Sequence, residues 1–244
     1  MAQPQKPGFR VGVYVYRNAD VLTFSSVFGV LSVSRRFDPE LDVFLIAETT
    51  RPVATADGFT VLPRYALADQ PHIDALVLAG GDGARSEMHN QRLRDYLLAL
   101  PESCLLGSVC TGSWILATAG LLDGSSATNR KEPDRLEASH LGQVPIDRLA
   151  TLAPTCHISR ARLVDAGRVI SAAGQTAGLE AGLHLLRRAG YEQRFINEVI
   201  RCMEYSAGHT AVQDDLEFAA SPVPTRHTPD LPIPTGRRDL HVRL

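Results

Sequence analysis

The chain has 244 residues, 44% hydrophobic and 21% charged, with a formal net charge of -2, a length that fits one α/β domain or two small ones. The near-neutral balance argues against a large basic surface, and so against nucleic acid as the main partner. No apolar stretch is long enough to span a bilayer, and residues 1–8 are polar with no signal-peptide core, so no membrane partner is expected and the cytoplasm is the expected compartment.

Residues 9–16 form a β-branched and aromatic run, read as the first buried strand. A turn at Arg17-Asn18-Ala19-Asp20 leads into residues 21–37, where Leu22, Val27, Val30, Leu31 and Val33 have helical spacing. Residues 41–47 are the next strand, and residues 50–64 read as a β-hairpin or an excursion beside the sheet. The strand at 74–79 runs into Gly80-Gly81-Asp82-Gly83. Ligands bind at this end of open α/β sheets, which places the loop beside whatever reactive group the fold carries. A plain tight turn explains the same glycines, and Asp82 either approaches the pocket or caps a following helix.

After a helix at 93–100, the chain reaches its centre of interest at Ser108-Val109-Cys110-Thr111-Gly112-Ser113. Residues 104–109 read as a short buried strand and residues 114–122 as an apolar helix closed by Asp123-Gly124. A cysteine at a strand-to-helix turn crowded with small residues has the layout of a nucleophile elbow. Free cysteines are commonly buried small hydrophobes. Here the helix N-terminus would favour the thiolate, and its N–H groups could stabilise charge developing on a substrate.

Residues 125–150 are more polar, with a helix start expected at Pro133. Two short strands lie within 160–171, around a turn at Asp165-Ala166-Gly167. Residues 172–178 open a long helix through Arg188, with Leu179, Leu183, Leu185 and Leu186 on its buried face, and a second helix covers 192–205. Gln175, before that helix, could orient a ligand or cap the helix. His157 and His184 have no evident partner, and His184 reads as a packed or surface residue. Trp114 reads as core, and Arg130 and Lys131 as solvated or as anion contacts. Cys104, Cys156 and Cys202 read as structural thiols, without the spacing of a metal site. From Ser221 the prolines make an extended tail. Strand–helix alternation predicts one doubly wound, mostly parallel, flavodoxin-like sheet over residues 9–207, followed by a Pro-rich tail over 208–244.

The combination of Ala79-Gly80-Gly81-Asp82-Gly83, Ser108 to Ser113, Ala119-Gly120-Leu121-Leu122-Asp123-Gly124-Ser125-Ser126-Ala127-Thr128, Ala173-Gly174-Gln175-Thr176-Ala177-Gly178-Leu179-Glu180 and Met203-Glu204-Tyr205 resembles the PfpI superfamily. Within it the chain is most similar to isonitrile hydratases and to the ligand-sensing domains of AraC-type regulators. The resemblance implies a class I glutamine-amidotransferase-like fold, a homodimer, a small-molecule substrate, and no cofactor or metal. It also implies lyase chemistry. In isonitrile hydratases the elbow cysteine attacks the isonitrile carbon, an acid in the first loop manages protons, and water releases an N-substituted formamide. Carried across, Cys110 is the nucleophile and Thr111 its neighbouring hydroxyl. Gly80 and Gly81 offer N–H groups to the reacting carbon, with Asp82, Gly174 and Gln175 around the substrate.

Two positions depart from that pattern. Thr23 stands where the acid is expected, with Asp20 three residues earlier, and Asn129-Arg130 replaces a histidine that many relatives place after the Ala-Thr pair. A threonine donates a hydrogen bond but is not a readily ionised acid. Either Asp20, Glu132 or another carboxylate handles the proton, or the fold has been repurposed to different chemistry, or it serves as a non-catalytic binding or sensor protein. AraC-type regulators follow this domain with a helix-turn-helix, where this chain enters its Pro-rich tail.

Overall fold

The structure is a computed structural model that describes residues 8–132 and 144–205 and the backbone of Leu216–Phe218. An eight-stranded sheet has the order β12-β10-β11-β7-β6-β1-β2-β5. Its strands are β1 (Arg10–Tyr14), β2 (Asp42–Ala47), β5 (Tyr65–Ala66), β6 (Ala75–Leu78), β7 (Leu105–Val109), β10 (Leu163–Asp165), β11 (Val169–Ala172) and β12 (Leu216–Phe218). Every neighbouring pair is parallel except β10–β11, which the turn at Asp165 to Gly167 makes antiparallel. The fold is therefore the flavodoxin-like, mostly parallel α/β arrangement. Buried on both faces, β6 and β11 have no polar alternation, the pattern of central parallel strands.

Two short ribbons stand beside the sheet. β3 (Val53–Ala54) and β4 (Thr60–Val61) form the expected hairpin, while β8 (Ser126–Ala127) and β9 (His157–Ile158) pair in parallel. Seven helices are described: α1 (Val21–Ser34), α2 (Ala84–Glu87), α3 (Gln91–Ala99), α4 (Gly112–Thr118), α5 (Pro145–Leu152), α6 (Ala177–Arg188) and α7 (Gln193–Cys202). Helix α5 was not foreseen in the polar stretch 125–150, and the expected helix start at Pro133 lies outside the described residues. Leu216–Phe218 pairs with β10, so the sheet reaches past residue 208, the boundary expected for the tail.

Helices α1, α6 and α7 pack together on the sheet, and α2, α4 and α5 form a second group. Close approach of α1 and α6 depends on two glycines one turn apart. A Cβ at Gly178 would lie 2.0 Å from Ser26 Oγ, and one at Gly182 would lie 2.9 Å from Val30 Cβ. Below them, His184 is 1% exposed and meets Asp165 on β10 at 2.6 Å, and Arg188 bonds the same carboxylate. His184 thus has a partner that its position in the sequence did not reveal. Burial alone would raise the Asp165 pKa, but the His184, Arg188 and Gly167 N–H hydrogen bonds outweigh it and hold the carboxyl below its usual range. The ends of α6 differ accordingly: this ion cluster lies at the amino end of the parallel strands, away from the elbow.

Candidate active site

Strand β7 ends at Val109, and Cys110 follows in the left-handed region with φ of +54°. A non-glycine residue there is strained, and such residues persist only where their surroundings fix them, often at functional sites. Here the surroundings are explicit. Cys110 N–H donates to Ala172 O at 2.9 Å, joining the elbow to the end of β11, and its carbonyl accepts from Ser113 N–H at 3.3 Å and Ser113 Oγ at 3.2 Å. Asn129 Nδ2 donates to that same Ser113 Oγ at 2.9 Å. Asn129, fully buried, therefore braces the elbow from the position where a histidine was expected.

The glycine loop faces the elbow directly. A Cβ on Gly80 would lie 2.7 Å from Val109 O and 2.8 Å from Cys110 Cβ, so only glycine lets β6 and the elbow come this close. Gly81 N–H donates to Thr111 Oγ1 at 2.8 Å, and that hydroxyl lies 3.1 Å from Gly81 O. Gly80 N–H donates to Thr23 Oγ1 at 3.0 Å. Thr23 is fully buried; its hydroxyl donates to Asp20 O at 2.7 Å, with Gly80 O at 3.1 Å also in reach. Each N–H that the resemblance assigns to the reacting carbon is thus bonded to a threonine hydroxyl. In place of an acid, Thr23 is a clasp on the Gly80 peptide.

Asp20 is the N-cap of α1: its Oδ1 accepts from Leu22 N–H at 2.9 Å, and Asp20 N–H donates to Gly80 O at 2.8 Å. Its second oxygen accepts from Gln175 Nε2. Gln175 does not cap α6, whose N-cap is Thr176, but ties the loop after β11 to the first loop. Asp20, Thr23, Gly80, Gly81, Cys110, Thr111 and Gln175 accordingly meet at the carboxyl ends of β1, β6, β7 and β11. A Cβ on Gly174 would meet nothing within 4 Å. Asp82 is exposed and pairs with Arg85 at 2.7 Å; the cap of α2 is Gly83. Glu132 is exposed.

Tyr16 is a site residue that reading the first strand as core passed over. It is buried, and its hydroxyl donates to Ala79 O at 2.7 Å, fixing the peptide that precedes Gly80. Burial first, then the nearness of Cys110, Glu87, Asp20 and Asp82, drives its pKa well above the usual tyrosine value, so the phenol stays a neutral donor. A tyrosine at the carboxyl end of the first strand was the available signal.

Cys110 itself is 5% exposed. Trp114 is core, as expected, with its indole N–H on Pro145 O at 3.0 Å and the Arg85 and Arg148 guanidiniums 5.5 and 5.3 Å from its ring centre. Lys131 is not solvated but half-buried, donating to Ala161 O at 2.6 Å. Cys104 and Cys156 are buried, whereas Cys202 is exposed on α7, with Arg36 Nη1 3.5 Å from its sulfur. No cluster of metal-ligating side chains occurs among the described residues, and no described helix is long and apolar enough to cross a membrane.

Known proteins agree with this architecture. Residues 10–188 match the model of the DJ-1/PfpI family. An isonitrile hydratase of Pseudomonas putida is 26% identical over 177 residues, which cover 72% of this chain and 70% of the relative. The HTH-type transcriptional regulator GbdR of Pseudomonas aeruginosa is 29% identical over 158 residues, 62% of this chain but only 40% of the regulator. In the crystal structure of a ThiJ/PfpI family protein from Pseudomonas syringae, the same fold recurs with a TM-score of 0.68 at 23% identity, over 83% of this chain and 77% of that one. With more than half of its length matched by the family model and the elbow at the expected strand end, the chain belongs to the DJ-1/PfpI family.

Proposed function

We propose that the protein is a thiol-dependent enzyme in which Cys110 attacks a small carbon electrophile, and that its reaction is the hydration of an isonitrile to an N-substituted formamide. The observation that carries this reading is the left-handed Cys110, braced on both sides at the carboxyl end of the sheet. In the proposed cycle the Asp20 carboxylate takes the thiol proton. The sulfur then bonds to the terminal isonitrile carbon, and the carbon lone pair takes the proton back from Asp20, giving a thioimidate. Water adds to that carbon while its proton passes to nitrogen. The C–S bond then breaks with its electron pair leaving on sulfur, the added hydroxyl becomes the formamide carbonyl, and the hydroxyl proton returns through Asp20 to the Cys110 thiolate. Asp20 is the carboxylate for this work because it sits on the loop that touches Gly80, with Gln175 orienting its second oxygen. The same reading has the protein act in the cytoplasm as a homodimer, on a small molecule and without metal or organic cofactor.

Incubation with cyclohexyl isonitrile, followed by NMR, should show N-cyclohexylformamide. Cys110→Ala should abolish it, and Asp20→Asn should slow it by about a hundred- to ten-thousand-fold, the usual contribution of a proton-transfer group. No formamide from the wild-type protein would remove the reaction.

A second reading, a binding or sensor protein, is favoured by one observation: both loop N–H groups are already bonded to Thr23 and Thr111. Iodoacetamide labelling in a Cys202→Ser background separates the two. Alkylation of Cys110 at mildly acidic pH favours the enzyme; reactivity no greater than that of an ordinary free cysteine favours the binder.

A further inference from the structure

The amide of Asn129 has a direction that its neighbours dictate. Arg130 N–H lies 2.6 Å from Oδ1. A backbone N–H can only donate, so the amide atom facing it is the oxygen, and Nδ2 is left to face Ser113 Oγ at 2.9 Å. An amide nitrogen is a donor alone, so Ser113 Oγ accepts there and must send its single proton elsewhere. The acceptor within reach is Cys110 O, at 3.2 Å. Asn129 and Ser113 are both fully buried, which leaves bulk solvent no part in the choice. Donation therefore runs one way, from Arg130 N–H through Asn129 and Ser113 to the carbonyl of the elbow cysteine.

That carbonyl is one of two anchors on Cys110. The other is its N–H, which donates to Ala172 O at 2.9 Å. A residue at φ of +54° relaxes to negative φ only by turning one of its peptides, and each anchor opposes that. Ser113 N–H also reaches the carbonyl, but at 3.3 Å it is long for such a donor, so the serine hydroxyl carries much of the hold. In this pose the Cys110 Cβ lies against Gly80, where an added Cβ would come within 2.8 Å. Hydrogen bonds in series strengthen one another. Every proton of this series points toward the elbow, so its dipoles favour negative charge on the sulfur.

We propose that Asn129 is a positioning residue for the Cys110 thiol: by donating to Ser113 it aims the serine proton at the Cys110 carbonyl, holds the cysteine left-handed and favours its thiolate. It acts through Ser113 alone and touches no substrate. The assignment rests on the reading of Cys110 as a working thiol.

Alkylation of Cys110 by iodoacetamide in the Cys202→Ser full chain, followed by peptide mass spectrometry across pH, tests it. Scaling each profile to its own high-pH plateau removes accessibility from the comparison. The wild-type midpoint should lie below that of free cysteine. Ser113→Ala should raise it by about half to one pH unit, the value of one neutral hydrogen bond. Asn129→Leu should raise it as much, and the double variant no further than Ser113→Ala, because the amide works only through that hydroxyl. Asn129→Leu also strips Arg130 N–H of its acceptor, so Asn129→Asp, which keeps it, is the second variant. Both aspartate oxygens accept, the Ser113 proton turns to them, and NMR of the labelled chain should show the Cys110 carbonyl carbon moving upfield, as in Ser113→Ala. A wild-type midpoint at that of free cysteine would remove the thiol reading and this assignment together. A lowered wild-type midpoint that neither Ser113→Ala nor Asn129→Leu moves, additive shifts in the double variant, or an unmoved carbonyl resonance in Asn129→Asp would overturn the role of Asn129 and leave the thiol reading standing.

Discussion

Replacing Thr23 by valine removes one hydroxyl and almost no volume, and the structure fixes what that should cost. The Asp20 carbonyl keeps a partner, because Thr23 N–H donates to it at 3.1 Å, and Gly80 O keeps Asp20 N–H at 2.8 Å. Gly80 N–H alone is orphaned, since Thr23 Oγ1 is its acceptor at 3.0 Å, and both residues are buried. An unsatisfied buried donor costs about 1–3 kcal/mol. With ~2 kcal/mol lost, a chain of this size should melt about 4–8 °C lower. Thr23→Ser keeps the oxygen and gives up one methyl group, roughly 0.8 kcal/mol of burial. The expected order of stability is therefore wild type, then serine, then valine. Urea unfolding followed by the fluorescence of Trp114, the single tryptophan, measures all three. Hydrophobicity alone predicts the reverse for the two variants. Valine matching or exceeding serine would refute the clasp, as would unchanged hydrogen-exchange protection of the Gly80 amide in Thr23→Val.

Gly178→Ala should destabilise the protein by about 1–3 kcal/mol through overpacking, because its Cβ would collide with Ser26 across the α1–α6 contact. Gly29→Ala, in the middle of α1 with nothing within 4 Å, should instead stabilise it by about 0.5–1 kcal/mol; urea titration reads both. The Asp165 carboxyl is held below its ordinary value of 3.8 in the folded state. Its contribution to stability is thus fully present above that pH and is lost as the pH falls through the lower folded value. Asp165→Asn should flatten the decline of stability below pH 4, and a decline as steep as in the wild type would contradict the Asp165–His184–Arg188 cluster as its source. Burial pushes the Cys104 thiol up to about 12, so peptide mapping after iodoacetamide at pH 7 should find Cys104 unlabelled while the native fold persists and labelled once urea unfolds it.

Periodicity and turn chemistry carried most of the fold. The apolar runs at β1, β6 and β7, the caps and glycines between them, and the strand–helix alternation were local signals, and each depends only on what neighbouring residues can do. They also located Cys110 at a strand end and the glycine loop at the end of the adjacent strand. Partnerships across the chain were not legible in that way. That Thr23 closes on the Gly80 peptide, that Gln175 reaches Asp20 155 positions away, and that Asn129 braces Ser113 are contacts between strand ends. His184 looked partnerless because its carboxylate arrives from β10, a separate element from its own helix, and β12 escaped notice because three residues pairing with an edge leave no periodic trace. Local sequence determines which elements form, since propensity and amphipathic spacing act within a few residues. Which hydroxyl or carboxylate closes on the glycine loop beside Cys110 is decided only when the parallel strands align their carboxyl ends.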